Sequence, residues 1–279
     1  MIEPSDCLPR RLPTKGPFVP SAPPQWRLPP GVPKGLWEYA QLPHIATDYD
    51  NYFAHNTLFE FDTAVLRKHF ERPGLLVDLG CGTGRLMVPF ARDGYPCLAV
   101  DLSLHMLGVV GQKTEAESLP IHLLQANMVQ LDNVQTAVAD YAICMFSTLG
   151  MIRGRANRQK ALAHAARILK PGGLFVLHVH NRWRNLLEPQ SRWWVVRNLV
   201  ESRIRRDIEP GDKFFSYRGV RQMFLHVFTR HELTTDLRSA GFEIVEFLPL
   251  NTERRHALNH AWWLGRLRAN GWIVVCRKP

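Results

Sequence analysis

Three glycines at single-residue spacing, Gly80, Gly82 and Gly84, follow an apolar run in Val77-Asp78-Leu79-Gly80-Cys81-Gly82-Thr83-Gly84. Lacking a Cβ, each lets the backbone turn sharply and approach a ligand closely. A helix starting near Arg85 would offer its free amides to an anionic group. Dinucleotide sites space their glycines as G-x-G-x-x-G. Here the third glycine comes one residue early and Arg85 fills the place of the last, which argues against nicotinamide and flavin cofactors. Asp101 lies about twenty residues on, at the end of the next apolar run, where an acid can accept hydrogen bonds from both hydroxyls of a ribose. A nucleoside-bearing ligand fits this pair of features. The plainer alternatives are a tight structural turn for the glycines and a helix N-cap for Asp101.

The elements that would position these residues alternate regularly. The spacing of Phe61, Val65, Leu66 and Phe70 predicts a helix over 59–70. Short apolar runs then read as buried strands: Leu75 to Val77, Cys97 to Val100, Ile121 to Leu124, Tyr141 to Met145, Leu174 to Val179, Glu243 to Phe247 and Trp272 to Cys276. A helix carrying Ala161, Leu162, Ala165, Ile168 and Leu169 precedes the break at Pro171-Gly172-Gly173. Thr229-x-x-Glu232 is a capping box opening a further helix that stops at Gly241. This rhythm predicts an α/β fold around an open, mostly parallel, doubly wound sheet. Residues 182–228 break it. They leave the fifth strand at the edge where such sheets bind ligands, so they are expected to form a substrate-covering insertion. A peripheral embellishment or an oligomer contact is the plainer reading.

Residues 1–35 are rich in proline, which fixes φ and lacks an amide donor, so an extended N-terminal arm is expected before a domain spanning 36–279. The beginning of the chain has no apolar h-region, and no run of apolar residues is long enough to span a bilayer. No membrane partner is therefore expected. The five cysteines, Cys7, Cys81, Cys97, Cys144 and Cys276, are scattered without a C-x-x-C. That reads as reduced thiols in a cytoplasmic protein, with no metal site. The formal net charge of +10 would suit a nucleic acid, an anionic membrane surface or an acidic substrate, or simply make a basic solvated surface. No compact Lys/Arg run or RNA-binding signature accompanies it.

Between Tyr49 and Pro279 the chain resembles class I S-adenosylmethionine-dependent methyltransferases. The segment Asp78-Leu79-Gly80-Cys81-Gly82-Thr83-Gly84 is similar to the family's first motif. Val100-Asp101-Leu102-Ser103 with Met106 resembles its ribose and adenine contact region. Ala126-Asn127-Met128 resembles its adenine-edge motif, with Asn127 where the family usually has aspartate. Leu169-Lys170-Pro171-Gly172-Gly173 resembles the turn before its fifth strand, and Ala240-Gly241-Phe242 the start of its sixth. The resemblance implies seven strands with the last, Trp272 to Cys276, antiparallel. It implies S-adenosyl-L-methionine as cofactor, with Tyr49 on a closing N-terminal segment and Phe146 after the fourth strand as further contacts.

Methyl transfer from a sulfonium is an in-line displacement, so holding the acceptor in line can be the main catalytic contribution. A base is needed only if the acceptor must lose a proton. His180, after the fifth strand, and His226, just before the capping box, are the candidates for base or substrate ligand. The competing reading for His180 is a hydrogen-bonded structural histidine. His178 points to the same face as His180 but deeper in the sheet. The expected acceptor is a small molecule, with RNA as the alternative because of the positive charge. A non-catalytic protein that only binds the cofactor is the competing class. The oligomeric state is left open.

Overall fold

The computed structural model describes residues 23–52 and 58–279. Nine strands are assigned among them: β1 Leu76–Leu79, β2 Cys97–Asp101, β3 Ile121–Gln125, β4 Ala139–Cys144, β5 Leu169–His180, β6 Asp212–Tyr217, β7 Val220–His226, β8 Glu243–Pro249 and β9 Gly271–Arg277. Seven of them form one sheet in the order β3-β2-β1-β4-β5-β9-β8. β1 to β5 run parallel, and β9 runs antiparallel to both of its neighbours. These are the seven strands read from the sequence, with ends shifted by a few residues. β5 begins earlier, because Leu169 pairs with Ala139 before Pro171-Gly172-Gly173 interrupts the ladder and pairing resumes at Leu174.

Both faces of the sheet are covered. Helices Arg155–Ile168 and Arg230–Ser239 bury Leu162, Ala165, Leu233 and Leu237 on one face. Helices Leu58–His69, Met87–Arg92 and Leu104–Glu117 bury Leu66, Met87, Phe90 and Val110 on the other. This double covering is why β1 and β9 are almost wholly apolar and buried. Strand order reverses at β1, with β2 on one side and β4 on the other. The crevice beyond the carboxyl ends of these three strands is where an open α/β sheet binds ligands.

The excursion through 182–228 contains a short 3₁₀ turn, Trp183–Leu187, the helix Arg192–Ile204 and a separate hairpin, β6 with β7. It closes on itself at the sheet. The Phe228 amide donates to the His180 carbonyl (2.9 Å), and the Arg182 amide donates to the Phe228 carbonyl (2.8 Å). The capping box then forms as read. The Thr229 hydroxyl accepts from the Glu232 amide at 3.2 Å, and the Glu232 carboxylate accepts from the Thr229 amide at 3.4 Å.

The hairpin packs on the helix Lys34–Ala40. At Gly35 the two backbones come so close that a Cβ there would sit 2.4 Å from the Gln222 carbonyl. Packing also begins upstream of that helix. Leu28 and Val32 are buried, and the Arg153 amide donates to the Gly31 carbonyl at 2.8 Å. The part of the proline-rich segment before residue 23, with Cys7, lies outside the described residues. The other four cysteines are buried free thiols, and Cys97, Cys144 and Cys276 lie in strands.

Candidate functional site

The glycine loop leaves β1 with positive φ at Gly80 (83°), Gly82 (54°) and Gly84 (77°). The three glycines serve different needs. A Cβ on Gly80 would stand 2.4 Å from the Thr148 side chain, so Gly80 allows close packing. A Cβ on Gly82 would meet nothing within 4 Å, so Gly82 faces open space. That space is a cavity of about 1140 Å³, partly continuous with solvent. Its walls include Asp78, Gly80, Cys81 and Gly82 from the loop, Asp101, Leu102 and Met106 beyond β2, and Asn127 and Met128 beyond β3. Phe146 beyond β4 and Tyr49 complete the set. Eleven of the thirteen residues proposed from sequence to hold the cofactor thus meet at one cavity. The other two, Thr83 and Gly84, lie under the loop. Thr83 is fully buried, and Gly84 packs against Val88 and Val110. The first full helical turn after the loop starts at Met87, slightly later than Arg85.

Asp101 organises the loop. One carboxylate oxygen accepts from the Gly82 amide and the other from the Ser103 amide, each at 2.8 Å. Burial nevertheless holds its carboxyl above the usual carboxylate range. Asp78 lies deeper. Burial, with Asp101 nearby, pushes its pKa up to about 8. Asn127 explains its own departure from aspartate. Its amide nitrogen donates to the Pro30 carbonyl at 2.8 Å, while its oxygen accepts from the Val129 amide at 3.1 Å. A carboxylate could not make the first of these bonds, and it is this bond that ties the proline-rich segment to the cavity rim.

Phe146 and Ser147 follow β4 with φ of 57° and 61°, a conformation costly for residues with a Cβ. Hydrogen bonds to β5 hold it. The Ser147 amide donates to the His178 carbonyl at 3.0 Å, and the His180 amide donates to the Ser147 hydroxyl at 3.3 Å. Phe146 stacks on Phe59, with centroids 4.7 Å apart. The Arg85 guanidinium lies 4.1 Å from the Phe59 ring centroid, and the Arg254 guanidinium 4.9 Å from that of Phe146. Two rings between two cations form one wall of the site. Arg254 is buried and pairs with fully buried Asp62 at 3.1 Å. Burial raises Asp62 to about 6 despite that partner.

Several contributors carry no sequence signal. Asp50 accepts from the Thr83 hydroxyl and pairs with Lys113, both at 2.6 Å, which clamps the helical turn Tyr49–Tyr52 to the glycine loop. Although burial opposes it, the bonds from Lys113 and Thr83 hold Asp50 below the usual range. Gly31, Val32, Leu36, Tyr39 and Ala40 also line the cavity. They lie in or beside a proline-rich stretch with no apolar period to reveal them.

The two histidines are placed differently from the cavity residues; neither lines it. The His180 ring lies 3.2 Å from the Asn270 side-chain oxygen and 5.0 Å, edge-on, from the His178 ring. Burial and the nearby Arg254 charge pull its pKa down to about 4, so the ring is neutral. His226 is fully buried between two carboxylates, Asp212 at 2.8 Å and Glu232 at 2.7 Å. Arg158 and Arg182 complete that network through Glu209 (2.6 Å) and Glu232 (3.0 Å). Glu209, Asp212 and His226 have metal-ligand spacing, but the Arg158 guanidinium bonds to Glu209 and lies 3.4 Å from His226. A cation already sits there.

Residues 76–173 match the family model described as a methyltransferase domain. Over 119 residues the chain is 29% identical to a methyltransferase-named protein of Geobacillus sp. (strain WCH70), covering 42% of this chain and 47% of that one. Over 107 residues it is 28% identical to a ubiquinone biosynthesis O-methyltransferase of Rickettsia prowazekii (strain Madrid E), covering 38% and 40% respectively. The chain spans about half the length of the curated relatives it matches. The fold is shared with a 1,6-didemethyltoxoflavin-N1-methyltransferase of Burkholderia thailandensis, solved with 1,6-didemethyltoxoflavin and S-adenosylhomocysteine. The TM-score is 0.57 at 18% identity, over 84% of each chain.

Proposed function

We propose that this chain is a class I S-adenosylmethionine-dependent methyltransferase, a reading supported by the match of residues 76–173 to a methyltransferase domain, and that it methylates a small organic acceptor. The observation that carries the proposal is the covering of the cavity. Residues from Gly31 to Ala40 wall it, and the β6–β7 hairpin backs that wall. A largely apolar cavity walled on this side suits a compact acceptor better than a polymer. The ubiquinone-pathway relative and the toxoflavin enzyme, whose acceptors are small molecules by their names, support the same reading.

The residues present fit the cofactor. Gly82 leaves its backbone open to an approaching ligand, and Asp101 offers carboxylate lone pairs for ribose hydroxyls. Leu102, Met106, Asn127 and Met128 line the cavity beyond β2 and β3, where an adenine would sit, and Asp78 and Tyr49 line it as well. When bound, S-adenosylmethionine supplies a methyl group already activated by the sulfonium charge. The protein's part is then orientation and water exclusion. Orientation alone can contribute up to ~7–11 kcal/mol. Burial pushes the hydroxyls of Tyr39 and Tyr49 above their usual range, so they serve as neutral hydrogen-bonding groups. We assign His226 a structural role in its carboxylate network. His180 is a neutral ring near the Asn270 side chain and outside the cavity lining; through its amide bond to the Ser147 hydroxyl we assign it a positioning role for the turn that carries Phe146. The insertion 182–228 is proposed as the cover, acting through its hairpin.

The test supplies isotope-labelled methyl donor to the protein with separated metabolite and RNA fractions. Label in a small molecule, with release of S-adenosylhomocysteine, is the expected result. Label in RNA would replace the small acceptor with a polymer. Donor binding without turnover in either fraction would mark a binding protein.

A further inference from the structure

The helix Arg192–Ile204 carries an apolar stripe that nothing among the described residues covers. Trp193, Val196, Val200 and Ile204 recur three or four residues apart, which places them on one face. They are 75%, 50%, 51% and 77% exposed, while Val195 and Asn198 are buried on the opposite side. The turn Trp183–Leu187 packs against this helix and also against the short helix Gly265–Arg268. Beside these lie exposed Leu187, Trp262 and Trp263. Isolated exposed apolar residues are ordinary; four of them on one face of one helix are not.

The charge around the stripe is one-sided. Segment 182–207 holds seven arginines against three acids, and segment 252–268 holds four against one. Arg182 and Arg254 are buried against Glu232 and Asp62; without these two, the segments still hold nine arginines against four acids, a surplus of five. The nearby acids are already engaged, Glu201 with Arg197 at 3.3 Å and Asp207 with Arg205 at 2.9 Å. Arg192, Arg203 and Arg206 have no carboxylate within ion-pair distance among the described residues.

We propose that this face docks on an anionic membrane surface. Trp193, Val196, Val200 and Ile204 enter the boundary between headgroups and acyl chains, and the flanking arginines meet lipid phosphates. This departs from the expectation of no membrane partner. It does not make the protein a spanning one, since no helix among the described residues is long and apolar enough to cross a bilayer. Three features select the occupant. Aliphatic side chains have no π face for bases to stack on, so the Val and Ile of the stripe favour acyl chains over RNA. A second copy would bring a like-charged surface into contact. Tryptophan at the margin of an apolar face suits the headgroup level.

The test is flotation of the full chain with vesicles of phosphatidylcholine alone or of phosphatidylcholine with phosphatidylglycerol. The protein should float with the phosphatidylglycerol vesicles and stay behind with the neutral ones. High salt should weaken the binding. Arg203→Gln should lower partitioning about fivefold, and Val200→Asp by more. Both side chains face solvent, so the melting temperature and S-adenosylmethionine affinity should stay at wild-type values, separating lost docking from lost folding. No flotation with phosphatidylglycerol, or equal flotation of wild type and Val200→Asp, overturns the proposal. So does dimerisation or RNA binding that Val200→Asp abolishes while flotation persists. Flotation needs no methyl acceptor, so its outcome is independent of the proposed reaction.

Discussion

Asp78 is a carboxyl group that the fold keeps at a cost. An unfolded aspartate ionises near its ordinary value of about 3.9, whereas burial holds this one protonated up to about 8. Between those values the native state binds the extra proton, so Asp78 makes stability fall as pH rises through that window, by up to ~1.4 kcal/mol per pH unit. Asp78→Asn should remove this slope and raise the melting temperature near neutral pH, while S-adenosylmethionine binding weakens. Thermal melts across the window would show the slope in the wild type alone; parallel curves would mean that Asp78 is not the cause. The loop makes a second prediction. Gly82→Ala and Asp101→Ala should each weaken cofactor affinity by roughly ten- to a hundredfold, ~1.4–3 kcal/mol, with the fold retained. Gly82→Ala acts by filling the open approach, and Asp101→Ala by freeing the Gly82 and Ser103 amides. Unchanged affinity by calorimetry in both would remove the cofactor assignment. These residues were legible because left-handed backbone and a charge at a strand end leave few residue choices. Asp50 was not, because its partners Thr83 and Lys113 are more than thirty positions away and a lone acid in a polar stretch carries no periodicity.

Among the elements, the carboxylate of Glu232 joins two devices. It completes the capping box at Thr229 and accepts from His226 and Arg182. Thr229→Ala should cost about 1 kcal/mol, the usual worth of a cap. Glu232→Ala should cost ~3 kcal/mol or more, because it strands buried cations. Burial opposes the shift, but bonds from His226 and the arginine charges hold Glu232 below its usual range. Its contribution is therefore present above the unfolded value and lost as pH falls through the native one. Denaturant titrations at neutral and acid pH should show Glu232→Ala converging on wild type at the acid end, while Thr229→Ala keeps its deficit at both. The hairpin yields a sharper test. Gly35→Leu should wedge β7 away from the helix Lys34–Ala40 and weaken cofactor binding about tenfold. Wild-type affinity in that variant would detach the hairpin from the site. The five inner strands of the main sheet were legible as short apolar runs, since they are largely buried between the helical layers, whereas the edge strands β3 and β8 are mostly half-buried or exposed. The hairpin was not, because Lys213, Arg218 and Arg221 break its pattern and Gln222 takes a left-handed conformation that its residue type does not announce.

For the molecule as a whole, the site is built by distant parts of the chain. A protein starting at Lys34 would lack buried Val32, the Gly31 carbonyl bonded to Arg153 and the Pro30 carbonyl bonded to Asn127. It should melt several degrees lower and bind S-adenosylmethionine less tightly than one starting at residue 23. Equal melting and affinity would show that this strap adds nothing. At the other end, β9 follows every other strand in sequence yet lies between β5 and β8. While a ribosome is still making the chain, β5 has no partner on that side and β8 has no route into the sheet. The glycine loop, Asp101 and Phe146 all exist by then, but the flank of β5 stays open to wrong pairing. Nascent chains arrested before Gly271 should accordingly remain protease-sensitive and dependent on chaperones, however much of the cofactor site they already contain.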